Sequence, residues 1–536
     1  MGCAAIGNRA VDPTSATRRA SADRSRRSRT VLSTPCGAAH ASPASPSAGE
    51  STRLIAAPPG GVGHRVGPNG GRQAGVERFD VFVIGGGGTG SEITFRLGRA
   101  GGLRVGLAER DKLGGECNHY GCVPTKVMLR SATIAAQARD AGRFGIGIPS
   151  VEVDLPAIQR RAREIVASRS SDGAAPFERV GVTVLLQEAR LMGRRRIELA
   201  DGRQVEAERV VLTTGTEATV PPIEGLRDEP FWTNREAIWD PTEVPGSLAV
   251  LGSGAIGLEF AQCYARFGSA VTVFESGQRI LPSEDVAASK ALARVLTDDG
   301  IDLRTDLEVT RVVQSGDRWT IADEEGGELT ADRLLVATGR RPVFDGHDLD
   351  AAGVEVDGDG RPVLGPTLRT TNEAIWAAGD ATGEQLFTHV GNYEAAVVAD
   401  DILGRSRARD YRVVPRVTYS DPEVASVGLT EEEARADHDV RTATVSLADN
   451  ERAHIDGRTA GIVKLVADAR SGELLGGHIV GGDAGAMIHE VVAAMAGRVP
   501  ARAIGDAIHA YPTLSESVKG AFADLADRRH EGGAAG

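Results

Sequence analysis

From Phe79 onward, short apolar runs closed by glycine clusters alternate with segments of helical periodicity. Phe79-Asp-Val-Phe-Val-Ile84 reads as a buried strand, followed by Gly85-Gly-Gly87-Gly88-Thr-Gly90 and a helix to about Arg99. A second strand, from Leu103, ends in Glu109, 24 residues after Gly85. The order then recurs. A strand from Ser247 leads to Gly252, Gly254 and Gly257, an amphipathic helix through Phe267, and a strand from Ala270 ending in Glu275, 23 residues after Gly252. Strands alternating with helices in this way predict an α/β protein with two Rossmann-like units.

In such a unit the glycines permit a tight turn and let backbone approach a pyrophosphate. The helix N-terminus supplies N–H groups, and the acid closing the second strand accepts hydrogen bonds from ribose hydroxyls. A lone glycine pattern says little, but the whole ordered set, present twice, predicts two dinucleotide sites. Between them lies Gly114-Gly-Glu-Cys117-Asn-His-Tyr-Gly-Cys122-Val-Pro-Thr-Lys126. Two cysteines this close, opening a predicted helix, read as a redox-active disulfide whose thiols ionise readily beside a cation and a helix N-terminus. The other readings are two structural cysteines or half of a zinc site, which would want a second Cys/His pair that the sequence does not offer. Because the pair follows the first unit directly, a flavin is expected there and a diffusible nicotinamide in the second unit. Glu275 suits a free 2′-hydroxyl and repels a 2′-phosphate, which favours NAD over NADP.

The 536 residues, 41% apolar and 25% charged, have room for about three or four domains. A net charge of −13 without a basic patch in the body of the chain argues against nucleic acid as a partner. No apolar run reaches the ~18 residues of a membrane span. Five cysteines (Cys3, Cys36, Cys117, Cys122, Cys263) are too few for a secreted disulfide framework, so a cytoplasmic protein is expected, with Cys263 a small buried hydrophobe. Residues 1–76 differ from the rest: ten arginines, no lysine, no aromatic residue and three acids (Asp12, Asp23, Glu50). They cannot bury a core and are expected to be disordered. Their composition is similar to that of an organelle transit peptide; the plainer reading is a flexible tail or a stretch upstream of the true start.

Together these segments resemble the class I pyridine nucleotide-disulfide oxidoreductases, among them dihydrolipoamide dehydrogenase, glutathione reductase and mercuric reductase, from about Phe79 to about Ala521. The motifs that carry the likeness are the cysteine pair, both glycine units, Val211-Leu-Thr-Thr214-Gly215, Val336-Ala-Thr-Gly339-Arg-Arg-Pro342, Thr371-Asn-Glu-Ala-Ile-Trp-Ala-Ala-Gly379-Asp380 and the segment Val417–Gly428. The resemblance implies an FAD-binding domain at 77–228 and 343–412, an NAD-binding domain inserted at 229–342, and an α+β dimerisation domain at 413–536 that makes a homodimer. It implies that Asp380, Thr388, Ala189, Thr214 and Gly215 serve the flavin, that Gly339 serves the cofactors, and that Lys126, paired with Glu259, sits near the flavin ring. Cys122 should be the sulfur nearer the flavin and Cys117 the interchange thiol that meets substrate. Relatives using NADP carry basic residues at the positions of Ser276 and Pro282; the nearest cation here is Arg279. Arg340 and Arg341 read either as cofactor contacts or as a solvated loop pair.

One departure bears on chemistry. Relatives such as dihydrolipoamide dehydrogenase carry His-Pro-Thr-x-x-Glu near the C-terminus, where this chain has His509-Ala-Tyr511-Pro-Thr-Leu-Ser-Glu516. A histidine titrates near neutrality and can shuttle a proton, whereas a tyrosine ionises at about 10 and mainly donates a hydrogen bond. His509 lies about 6.5 Å away along an extended chain, too far to substitute without a different loop. The implied catalytic set is Cys117, Cys122, Lys126, Glu259, Tyr511 and Glu516, the last two reaching across the dimer. Mercuric reductases and soluble transhydrogenases resemble this chain in the tyrosine. The chain end, however, lacks the vicinal cysteines of the former, and the intact pair is unusual for the latter. The expected activity is FAD-dependent NAD(H):disulfide oxidoreduction of a small disulfide, dithiol or metal ion. A dihydrolipoamide dehydrogenase-like reaction comes first, with mercuric reductase-like, other metal or disulfide reductase, or transhydrogenase-like activity as alternatives.

Overall fold

The computed structural model describes residues 76–169 and 173–527. The Arg-rich extension before Val76 and the chain end after Asp527 lie outside the described residues. Among the described residues no helix is long and apolar enough to cross a membrane.

The first glycine unit builds a seven-stranded sheet. Val182–Leu185, Val105–Ala108, Glu77–Ile84 and Gln204–Leu212 run parallel in that order. Ile375–Ala377 pairs parallel with Gln204–Leu212, while Arg196–Leu199 and Ala189–Leu191 continue the sheet antiparallel. Val81–Ile84 are all buried, as a strand covered on both faces requires. The helix Gly88–Ala100 lays Ile93 and Leu97 on one face of the sheet, against Val105 and Leu107.

The second unit repeats this plan in a four-stranded parallel sheet ordered Asp302–Thr305, Ala270–Glu275, Ser247–Leu251, Arg333–Val336. The match extends to steric detail. A Cβ on Gly90 would lie 2.0 Å from the carbonyl oxygen of Gly85, and one on Gly257 would lie 2.1 Å from that of Gly252. Only glycine lets either helix approach its turn so closely. A third sheet is antiparallel, in the order Pro415–Thr418, Glu423–Gly428, Leu474–Gly481, Ile462–Asp468, Val440–Ser446, with helices Ala484–Ala496 and Ser515–Asp527 covering it.

Two features of this framework position the chemistry. The helix Cys122–Arg139 buries Met128, Leu129 and Ala132 in one apolar core with Leu258, Phe260 and Ala261 of the helix Ala255–Phe267. Val424 and Val480 of the antiparallel sheet enter the same core. At about 1.5–3 kcal/mol per fully buried large side chain, this contact fixes the redox segment against the second unit. The short strands Thr216–Ala218 and Arg340–Pro342 also pair antiparallel. Arg340 is therefore not part of a solvated loop: it donates to Thr216 Oγ1 (2.8 Å) and Thr216 O (2.9 Å), with a side chain only 14% exposed. Arg341 is half-exposed and pairs with Glu217 and Asp345.

Candidate functional site

The first glycine turn opens onto a cavity of about 690 Å³, within the size range of cofactor sites. Gly85, Gly87, Gly88, Glu109 and Ala189 line it. So do Thr214, Gly215, Asp380, Thr388 and Cys117. Gly90 is instead packed against the turn, and Lys126 lies off the cavity wall, over the ring of Tyr419 at 4.6 Å. A Cβ on Gly87 would meet no atom within 4 Å, so backbone is bared to the cavity, and Thr214 Oγ1 is buried without a partner. Bare glycine backbone, a helix N-terminus and an unpaired hydroxyl are what a dinucleotide pyrophosphate and ribityl chain call for. The cavity fits FAD.

Each strand-ending acid is oriented by its own turn. Glu109 accepts from Gly86 N and Asp111 N, both at 2.7 Å. Glu275 accepts from Ser253 N (3.0 Å), Ser253 Oγ (2.6 Å) and Gly277 N (2.8 Å). A Cβ on Gly254 would also face open space, at the start of the helix Ala255–Phe267, so the second turn fits a nicotinamide dinucleotide. Arg279, four residues beyond Glu275, is tied back to Pro282 O at 2.8 Å.

The cysteines lie in the order their chemistry needs. Both are free thiols, the reduced form of the pair. Cys122 is the first residue of the helix Cys122–Arg139, and its Sγ lies 3.6 Å from Thr388 Oγ1. The hydrogen bond from Cys117, and with it the Thr388 hydroxyl and the Lys126 charge, push the Cys122 thiol down to about 6 despite its burial. The same shared hydrogen bond, with burial, pushes Cys117 up. The two shifts run in opposite directions, favouring Cys122 over Cys117 as the thiolate of the pair. Lys126 Nζ donates to Glu259 Oε2 at 2.6 Å, while Glu259 Oε1 accepts from Tyr419 N at 2.9 Å. The pairing expected for Lys126 and Glu259 is present.

Tyr511 and Glu516 are not brought to the cysteines within one subunit. Tyr511 is 70% exposed and makes no hydrogen bond among the described residues, and Glu516 accepts from Thr513 N at 3.2 Å. His509 is held in its own subunit, Nε2 to Glu490 Oε1 at 2.8 Å and Nδ1 to Ala507 O at 3.1 Å.

Sequence reading missed several groups here. Glu116 is gripped by Asn234 and Arg235, from a helix more than a hundred residues away. His347, on the cavity wall, accepts from Leu191 N at 3.0 Å through Nδ1 and is pushed down to about 4 by burial. Glu394, fully buried, accepts from Gly379 N at 2.5 Å and from the Tyr411 hydroxyl, fixing the turn that carries Asp380. The Gly379-Asp380 motif was visible in sequence, but nothing marked Glu394 as its holder.

A flavin-sized cavity, a second dinucleotide turn and a thiolate–thiol pair between them define a protein that moves electrons between a dinucleotide and sulfur. Comparison with known proteins agrees. Residues 79–401 match the model of the pyridine nucleotide-disulphide oxidoreductase family, and residues 414–522 match that family's dimerisation domain. Dihydrolipoyl dehydrogenase of Chlorobaculum tepidum is 37% identical over 83% of this chain and 97% of its own length. Mercuric reductase of Acidithiobacillus ferrooxidans is 35% identical over 83% of this chain and 82% of its own. A solved structure described as the Cu(II) complex of the HOCl-induced flavoprotein disulfide reductase RclA from Escherichia coli superposes with a TM-score of 0.75 at 29% identity, covering 83% of this chain and 99% of that one. The chain belongs to the pyridine nucleotide-disulphide oxidoreductase family. It is a flavin-dependent oxidoreductase acting on sulfur groups, and its cofactors are FAD and a nicotinamide dinucleotide.

Proposed function

We propose that the protein is a cytoplasmic homodimer that uses NADH to reduce a small disulfide or a thiol-binding metal ion through Cys117 and Cys122. The observation that carries this reading is Tyr511 standing where a proton-shuttling histidine is expected, exposed in its own subunit and without a hydrogen bond among the described residues. Oxidising a dithiol requires a base to take the proton from the incoming thiol, and a tyrosine serves poorly at neutral pH. Reducing a disulfide makes a different demand: the enzyme brings its own thiolate, and the leaving sulfur needs a proton donor, a part a tyrosine hydroxyl can take.

FAD, when bound, supplies the two-electron relay between nicotinamide and the sulfur pair. The protein groups do the rest. Cys117 passes its proton along the shared hydrogen bond to Cys122 and attacks the substrate disulfide, whose second sulfur leaves and is protonated from the Tyr511 side of the dimer. Cys122 then gives up the proton taken from Cys117 to the substrate sulfur still bound there as it attacks Cys117 Sγ, re-forming the internal disulfide and releasing the second substrate thiol. Lys126 and Glu259 keep a balanced charge pair beside the sulfurs. Glu275, with Arg279 tied away from it, favours NAD over NADP as the donor. The domain limits 77–228 with 343–412, 229–342 and 413–536 stay part of this proposal; the parallel sheets at the two glycine turns and the antiparallel sheet after residue 414 support them.

The test is anaerobic. The holoenzyme is reduced with NADH, its new thiols are counted, and it is challenged in turn with small disulfides, Cu(II) and Hg(II), and separately with dihydrolipoamide plus NAD. NADH consumption with at least one of the first group, and little NADH formed from dihydrolipoamide, is expected. Dihydrolipoamide oxidation as fast as any reduction would overturn the direction proposed. A second reading, dihydrolipoamide oxidation, is supported by the likeness to the Chlorobaculum dihydrolipoyl dehydrogenase. A Tyr511→His variant that gains this activity from a low base would show that residue 511 chooses between the two.

A further inference from the structure

We propose that Glu116 is a positioning residue for the redox pair, clasping the Cys117 segment to the helix Asn234–Trp239 so that the two sulfurs stay within bonding reach. The inference rests on Cys117–Cys122 being the working pair. The two cysteines are held very differently. Cys122 opens an 18-residue helix whose apolar face lies in the core. Cys117 sits in a five-residue helix, Gly115–His119, that buries none of its residues and has no side-chain cap. So short a helix does not hold itself in place.

Most of its fastenings come from one distant helix; outside it, Arg340 Nη2 lies 3.7 Å from Glu116 Oε1 and His119 Nε2 bonds Leu113 O at 2.9 Å. Glu116 Oε1 accepts from Asn234 Nδ2 at 2.8 Å, and Glu116 Oε2 from Arg235 Nε at 3.0 Å and Nη2 at 2.5 Å. Asn234 Nδ2 also donates to Tyr120 O at 2.6 Å, and Trp239 Nε1 to His119 O at 3.0 Å. The Arg235 guanidinium lies 4.2 Å from the centre of the Tyr120 ring. Glu116, next to Cys117 in the chain, supplies the ionic part of this clasp.

The consequence is thermodynamic. Reduction breaks the S–S bond, takes two electrons and, with Cys122 as the thiolate, one proton, leaving a thiolate and a thiol; reoxidation needs Cys117 to return to Cys122. Holding Cys117 close raises its effective concentration at Cys122 and so favours the disulfide. Loosening the clasp makes the pair easier to reduce. Glu116→Gln and Arg235→Met both break the clasp, yet they change charge near the sulfurs in opposite senses. Position and charge can therefore be told apart.

The experiment equilibrates wild-type, E116Q and R235M holoenzymes in dithiothreitol redox buffers, quenches them and counts thiols, with FAD content as a check on folding. Both variants are expected to move the equilibrium toward the dithiol by tenfold or more, about 30 mV for a two-electron couple. Opposite shifts would mean charge alone and overturn the proposal, as would no shift in either variant. A wild-type enzyme that gains no thiols on reduction would instead overturn the redox-pair reading beneath it.

Discussion

Cys122 owes its low pKa first to one neighbour, the Cys117 thiol that donates to it, and then to Thr388 and Lys126. Ultraviolet titration of the reduced protein should show a thiolate appearing near pH 6. Cys117→Ala should move that step up toward the value of a free thiol, about 8.5, and Lys126→Met should move it up by less. Glu394 behaves in the opposite way. Burial pushes its carboxyl up to about 7, although Tyr411 and Gly379 N both donate to it. A raised acid favours the protonated fold, so its contribution to stability is present below the ordinary value of about 4.5 and is lost as pH rises through about 7. Urea midpoints at pH 5 and pH 8 should therefore differ more in the wild type than in Glu394→Gln. At this scale the sequence disclosed residues that stand inside a motif, such as the cysteines, Lys126 and the strand-ending acids. It did not disclose Glu116 or Glu394, because their partners are other side chains brought near only by folding.

Among the elements, the two strand–glycine–helix units were legible because their geometry depends on local sequence. A Gly257→Ala substitution drives a Cβ into the Gly252 carbonyl, so NADH binding is expected to weaken at least tenfold while FAD stays bound, as nucleotide titration of the holoenzyme would show. The Lys126–Glu259 tie between the redox helix and the second unit's helix is a different kind of contact, a carboxylate 3% exposed. Glu259→Ala leaves Lys126 and Tyr419 N unsatisfied, for an expected loss of about 2–3 kcal/mol in denaturant melts. The antiparallel sheet was reached through resemblance and not from its own pattern. Its strands hide polar residues: Ser426, Lys464 and His478 lie side by side in register, all buried, with Lys464 bonded to Asp285 at 2.8 Å. A strand that buries lysine and histidine does not show the alternation that marks one face as inner.

For the whole molecule, the proposed dimer would carry Tyr511 and Glu516, which stand apart from the cysteines of their own subunit, to those of the partner. Mixing Cys117→Ala subunits with Tyr511→Ala subunits should restore turnover to the heterodimer, at up to half its sites. A mixture no more active than its parts would place Tyr511 elsewhere. The apolar core that joins Met128 and Leu129 to Leu258 and Phe260, and to Val424 and Val480, carries a further consequence. The second unit's sheet cannot open without stripping cover from the redox helix and from the antiparallel sheet. Heating should accordingly melt the described body in one cooperative calorimetric transition, with enthalpies from calorimetry and from the van't Hoff slope in agreement, and brief proteolysis should release no folded fragment from it.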